Sequence, residues 1–265
     1  MSKRYAELEE AETLLPGSVT ITLVIGAALV GLYLLFPHDF YKTHFNLHEV
    51  ASETSLQYLK ALSRQDRGNL FLKTKLIHQQ IEMGKLDLAQ RRLREFIVAY
   101  SSPEAQEEAA WLQYIIDRER FFQLTSKSAG YVRKKNALKA SITQLMQYSD
   151  NDQAEYILLA RDAEAINSLT LANAVLVRLF KQIIAPSLEA YQMAAKLALS
   201  EGYYKKSSDL YLHAMNVAKE DEAKRDCFYH AIRALEFSGD SHLAFATARK
   251  YFLQVPKNQD LYIYI

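Results

Sequence analysis

The pattern of hydrophobic and polar positions changes once along the chain. From Ser18 to Phe36 the nineteen residues SVTITLVIGAALVGLYLLF carry no charge, which is the length needed to cross a hydrocarbon core of about 30 Å at about 1.5 Å per residue. Pro16 and Gly17 precede this run, Pro37 ends it, and Tyr33 stands in its last turn, where a ring can sit at the interface. A cleavable signal peptide has a shorter apolar region and a small-x-small site after it. Phe36-Pro37-His38-Asp39 is no such site, so the run predicts an uncleaved transmembrane helix over 18–36. Residues 1–17 then form a tail and 37–46 a juxtamembrane link. Lys3 and Arg4 precede the span, and only Lys42 follows in the equivalent stretch. Acidic residues weigh little in this rule, so the amino terminus is expected in the cytoplasm and the remainder on the exported side. Thr22/Gly26 and Ala27/Gly31 have the spacing that lets two spanning helices self-associate, and ordinary small residues in a membrane helix give the same pattern.

Beyond the link, residues 47–265 follow a repeated plan: a helix, a turn residue, a large apolar residue, then a small residue five positions after the turn. Gly84 with Ala89, Asn167 with Ala172, Gly202 with Ser207 and Gly239 with Ala244 fit it, and turn residues 167, 202 and 239 lie 35 and 37 residues apart. This resembles the tetratricopeptide family, whose period is about 34 residues. With Gly202 at the family's position 15, Tyr191, Ala195, Tyr204, Ser207, Tyr211 and Ala214 take its positions 4, 8, 17, 20, 24 and 27. Asn167 in that place puts Tyr156, Ala160, Ala172 and Leu176 in register, and Gly239 does so for Phe228, Ala244 and Pro256. The Gly84 repeat departs from the pattern, with Lys73 at position 4 and Ile77 at position 8, although Leu86, Ala89 and Leu93 match. Small residues let neighbouring helices approach while large ones fill the seam.

Upstream, Ser55–Leu62 reads as the second helix of a half repeat. Between the regular repeats, Pro103 starts a long helix through Trp111, Ile115 and Phe122, and a second helix runs from about Tyr131 to Tyr148, with the turn at Lys127–Gly130. Pro186 is expected in the first turn of a helix and Pro256 at a helix end. The fold class is therefore all-α, with an N-terminal transmembrane helix followed by a tetratricopeptide-type α-solenoid of about eleven helices.

Composition narrows the chemistry. Lys+Arg number 32 against Asp+Glu 31, and no long single-sign block occurs, so the counterion release that drives nucleic-acid binding is not expected. One cysteine, Cys227, excludes an internal disulfide and multi-cysteine zinc sites. No Gly-rich phosphate loop, HExxH, GxSxG or EF-hand loop is present, so neither an enzyme nor a cofactor is expected. His44 and His48 are four apart and share one face if that segment is helical, with Asp39 and Glu49 close in sequence, but a closed metal site wants about four ligands and none is assigned. Cys227, beside Phe228, reads as a packing residue.

The resemblance implies protein binding. In the family the first helices line a concave groove through positions 2, 5, 9, 12 and 13, and position 9 falls on His78, Arg161, Lys196 and Arg233. Such a ladder can hold acidic partner segments through charge-assisted hydrogen bonds. Exposed charges with intrahelical partners such as Glu164 and Glu236 are the plainer reading. Leu35-Phe36-Pro37 at the end of the span and Tyr58-Leu59-Lys60-Ala61-Leu62 in the first helix resemble the amino-terminal part of the PelB-type scaffold of Pel exopolysaccharide export. That family implies a bacterial inner-membrane anchor and a periplasmic repeat array that organises protein partners in biofilm polymer secretion. Its carboxy-terminal barrel has no counterpart in the sequence, and Asp260–Ile265 reads as the start of a further helix, which leaves two options: a fragment or split form of such a scaffold, or a different exported repeat protein. The alternative is an ancillary chaperone-like tetratricopeptide factor of the protein translocon.

Overall fold

The computed structural model describes residues 52–66, 68–125, 128–148 and 151–255. The expected spanning helix, its tail and link, His44, His48, Pro256 and the segment Asp260–Ile265 lie outside the described residues. Among the described residues no helix is long and apolar enough to cross a membrane.

Eleven α-helices and no strand occur among the described residues: α1 (Glu53–Gln65), α2 (Leu70–Glu82), α3 (Leu86–Ala99), α4 (Pro103–Phe122), α5 (Tyr131–Leu145), α6 (Gln153–Ala165), α7 (Leu169–Gln182), α8 (Leu188–Ser200), α9 (Tyr204–Val217), α10 (Asp221–Phe237) and α11 (Ser241–Tyr251), then one 3-10 turn (Phe252–Gln254). They belong to the second of the two units into which the chain divides, Met1–Ser52 and Glu53–Ile265. Each helix packs chiefly on its neighbour in sequence, an all-α arrangement consistent with an α-solenoid.

Local chemistry sets the helix ends. Ser102 caps α4 by accepting from the Ala105 N–H at 3.2 Å, and Pro103 takes the first helical position, where no N–H is needed. Asp152 and Glu155 form a reciprocal capping box on α6, each bond 2.8 Å long. The expected first-turn place of Pro186 is corrected: Ser187 is the N-cap of α8 and accepts from the Ala190 N–H, so the proline stands one residue outside the cap. A residue with a capping hydroxyl directly after it leaves proline only the preceding, extended position.

Within pairs α2/α3, α6/α7, α8/α9 and α10/α11 the turn residues Gly84, Asn167, Gly202 and Gly239 have φ of 70°, 52°, 80° and 78°. At Gly202 the left-handed step lets two N–H groups turn back, Gly202 to the Leu199 carbonyl and Tyr203 to the Ala198 carbonyl. This closes the helix and starts its partner at once. Asn167 performs the same turn with a side chain, as Asn does more readily than other residues.

The small residues lie where the helices come closest. Ala160, Ala172, Ala195 and Ala214 are buried to within 1%. Ser207, also fully buried, donates to the Ala195 carbonyl at 2.8 Å across the α8–α9 seam. Large residues fill the space beside them, among them Tyr156, Leu176, Tyr211 and Phe228. Each such side chain contributes about 1.5–3 kcal/mol on burial.

Candidate functional site

The first helices of successive pairs form a continuous row. Helix α2 packs on α4. The Tyr114 hydroxyl of α4 donates to Asp162 of α6 at 2.6 Å, and the Arg118 Nε donates to the same Oδ2 at 2.7 Å. Arg161 of α6 bonds Glu189 of α8, and Gln192 of α8 donates to the Cys227 Sγ of α10 at 3.5 Å.

Arg161, Lys196 and Arg233 stand exposed on α6, α8 and α10 of that row. Arg161 finds its carboxylate partner on the neighbouring first helix, Glu189, and not on its own helix at Glu164. Both side chains of this pair are more than half exposed, 60% and 54%, so water screens it and its worth is about 0–1 kcal/mol. Beneath it, between α6 and α8, lies a depression of about 650 Å³ walled by Ile157, Leu158 and Leu188 with Gln153 and Gln192 at its polar edge. An acidic segment laid across it would meet an apolar floor and a guanidinium already held in position.

Lys196 makes no hydrogen bond or ion pair with any described residue. Arg233 lies along its own helix between two rings: its guanidinium carbon is 5.5 Å from the Tyr229 centroid and 5.3 Å from that of Phe237, and Nη1 donates to the Tyr229 hydroxyl at 2.7 Å. The rings hold the guanidinium by cation–π attraction. His78 has different surroundings. Its Nδ1 is 3.2 Å from Glu82, and across the seam it acts on Glu108 of α4, whose carboxyl burial pushes up against the lowering effect of the imidazole. The lengthened helix α4 separates His78 from Arg161, so the row divides into an acidic neighbourhood around His78 and a basic one from Arg161 to Arg233.

Glu189, Tyr229 and Phe237 were not singled out from the sequence. The signal was present, since they occupy positions 2, 5 and 13 of the register that singled out position 9. Reading position 9 alone left out what surrounds each cation. Cys227 is fully buried, and burial pushes its thiol up, which suits packing and not nucleophilic attack. Among the described residues no group of three or more His, Cys, Asp or Glu side chains is placed to hold a metal. Comparison of the chain with protein-family models, with curated proteins and with solved structures finds no match.

Proposed function

We propose that the chain is a membrane-anchored scaffold of the tetratricopeptide type that holds an acidic segment of a protein partner along its row of first helices. The observation that carries this reading is that Arg161, Lys196 and Arg233 stand exposed on three successive first helices, with Arg161 at the rim of an apolar depression. The anchor rests on the uncharged run Ser18–Phe36, and the cytoplasmic amino terminus on Lys3 and Arg4. A place in Pel-type exopolysaccharide secretion at the bacterial inner membrane, with the array in the periplasm, rests on the short resemblance at Leu35–Pro37 and Tyr58–Leu62. The Pel polymer is cationic, so a basic row favours a protein partner over the polymer.

The test uses the full chain in detergent and the protein that co-purifies with it from solubilised membranes. Charge-assisted contacts contribute about 1.5–3 kcal/mol each when partly buried. Replacing Arg161, Lys196 and Arg233 together by Ala is therefore expected to weaken binding more than tenfold with helicity unchanged. Equal affinity of the triple variant removes the basic row from the mechanism. Weak binding of many unfolded chains, with no defined partner, favours the translocon-associated alternative.

A further inference from the structure

The α2/α3 pair differs from its siblings at one internal slot. In α6/α7 the ring of Tyr156 fills the space between the two helices, and its hydroxyl meets the Arg178 Nε at 3.3 Å and Gln182. In α8/α9 the ring of Tyr191 takes the same place and stacks on His213 with centroids 5.6 Å apart. Phe228 takes it in α10/α11. In α2/α3 the equivalent residue is Lys73, whose Nζ reaches away to the Ser63 carbonyl of α1 at 3.2 Å. Between the helices there remains a cavity of about 170 Å³, lined by Lys73, Ile77, Arg92, Glu95, Phe96 and Tyr100. A cavity of about 150 Å³ accepts a benzene ring.

The slot has also changed its charge. Arg92 stands where α7 has the buried Val175, α9 has Leu210 and α11 has Thr247, so two cations occupy positions that are a ring and an uncharged side chain in the sibling pairs. The Arg92 Nε is shielded from solvent and meets no acceptor among the described residues. Glu95 lines the same cavity without forming an ion pair with Lys73 or Arg92. A buried donor without an acceptor is destabilising, and a ligand oxygen relieves it.

We propose that the α2/α3 slot is a binding site for an aromatic carboxylate, its ring lying against Ile77 and Phe96 where the sibling pairs place Tyr156 and Tyr191, and its carboxylate on Arg92 with Lys73 alongside. The ring supplies the apolar contact that Lys73 lacks, and the carboxylate supplies the acceptor that the Arg92 Nε lacks. The site is independent of the first-helix row and of its partner.

Equilibrium dialysis of the full chain in detergent against radiolabelled benzoate tests the proposal, with benzamide as the neutral isostere. One benzoate per chain is expected, with a dissociation constant of about 1 mM or tighter, within reach of a ligand of this size. Arg92→Gln is expected to weaken binding about tenfold, as is exchange of benzoate for benzamide. Lys73→Tyr restores the sibling ring, and is expected to abolish binding while raising the thermal midpoint. Absence of saturable binding below about 10 mM overturns the site. So does unchanged binding by Lys73→Tyr, which places benzoate elsewhere. Equal binding by Arg92→Gln, or of benzamide, overturns the carboxylate contact.

Discussion

Tyr114, Asp162 and Arg118 show how a polar group is kept in the interior of this array. The Asp162 carboxylate is 3% exposed, and two donors meet the same oxygen. Taking a carboxylate out of water is unfavourable by several kcal/mol, so the pair is stable only because those donors replace its hydration. Burial pushes the Tyr114 phenol up, and its hydrogen bond to Asp162 pushes it further. An unfolded tyrosine loses its proton near pH 10. Folded Tyr114 holds its proton to higher pH, so the unfolded state releases it first. The stability from this group is therefore complete below about pH 10 and is lost as pH rises above it. Tyr211, whose phenol burial also raises, contributes a slope of the same sign. Tyr114→Phe is expected to lower stability at pH 7 by about 1–3 kcal/mol. It is also expected to flatten the fall above pH 10, read from chemical denaturation at pH 9, 10 and 11. An identical alkaline slope in the variant would show that Tyr114 does not govern it.

Helix pairs are the level at which the sequence was most readable, because their requirements are local. A left-handed turn residue, a small residue five places on and a large one between them are all visible as residue types, and the structure places Gly84, Asn167, Gly202 and Gly239 in left-handed turns. Proline and length likewise announced α4 and α5. Less readable were features that depend on which side chain reaches across. Arg161 could pair with Glu164 or Glu189 as far as spacing shows, and only the adjacency of α6 and α8 decides it. Likewise, Lys73 was visible as a departure from the register, but its consequence, a cavity between α2 and α3, needed the sibling rings for comparison. The seam itself gives a test of the register. Ala195 is fully buried, and its carbonyl accepts the Ser207 hydroxyl at 2.8 Å, so nothing larger than a methyl group fits beside it. Ala195→Leu is expected to destabilise by about 1–3 kcal/mol through overpacking. The thermal midpoint of the full chain in detergent reads this, and an unchanged midpoint contradicts the close approach of α8 and α9.

Across the whole row of first helices, the effective charge depends on what each cation already touches. Arg233 is braced by the rings of Tyr229 and Phe237, and Lys196 is open to solvent. Arg161 is shared with a carboxylate, Glu189, at the rim of the depression between α6 and α8. Glu189 thus stands where a carboxylate of an acidic partner would bind, and acts as an intramolecular competitor. Both groups are well exposed, so their pairing contributes about 0–1 kcal/mol, and separating them should change stability by no more than about 0.5 kcal/mol. Its effect on binding is different in kind, because removing the Glu189 carboxylate leaves the Arg161 charge uncompensated by that partner. Glu189→Gln keeps the side-chain shape and removes the competition. It is expected to strengthen binding of an acidic partner about two- to fivefold at 0.15 M salt, and to steepen the loss of affinity as salt is raised. The measurement is a titration of the variant and the parent chain against the same partner at several salt concentrations. Weaker binding by Glu189→Gln would mean that the partner is recognised through Glu189 and is basic at that point, which reverses the polarity of the proposed contact.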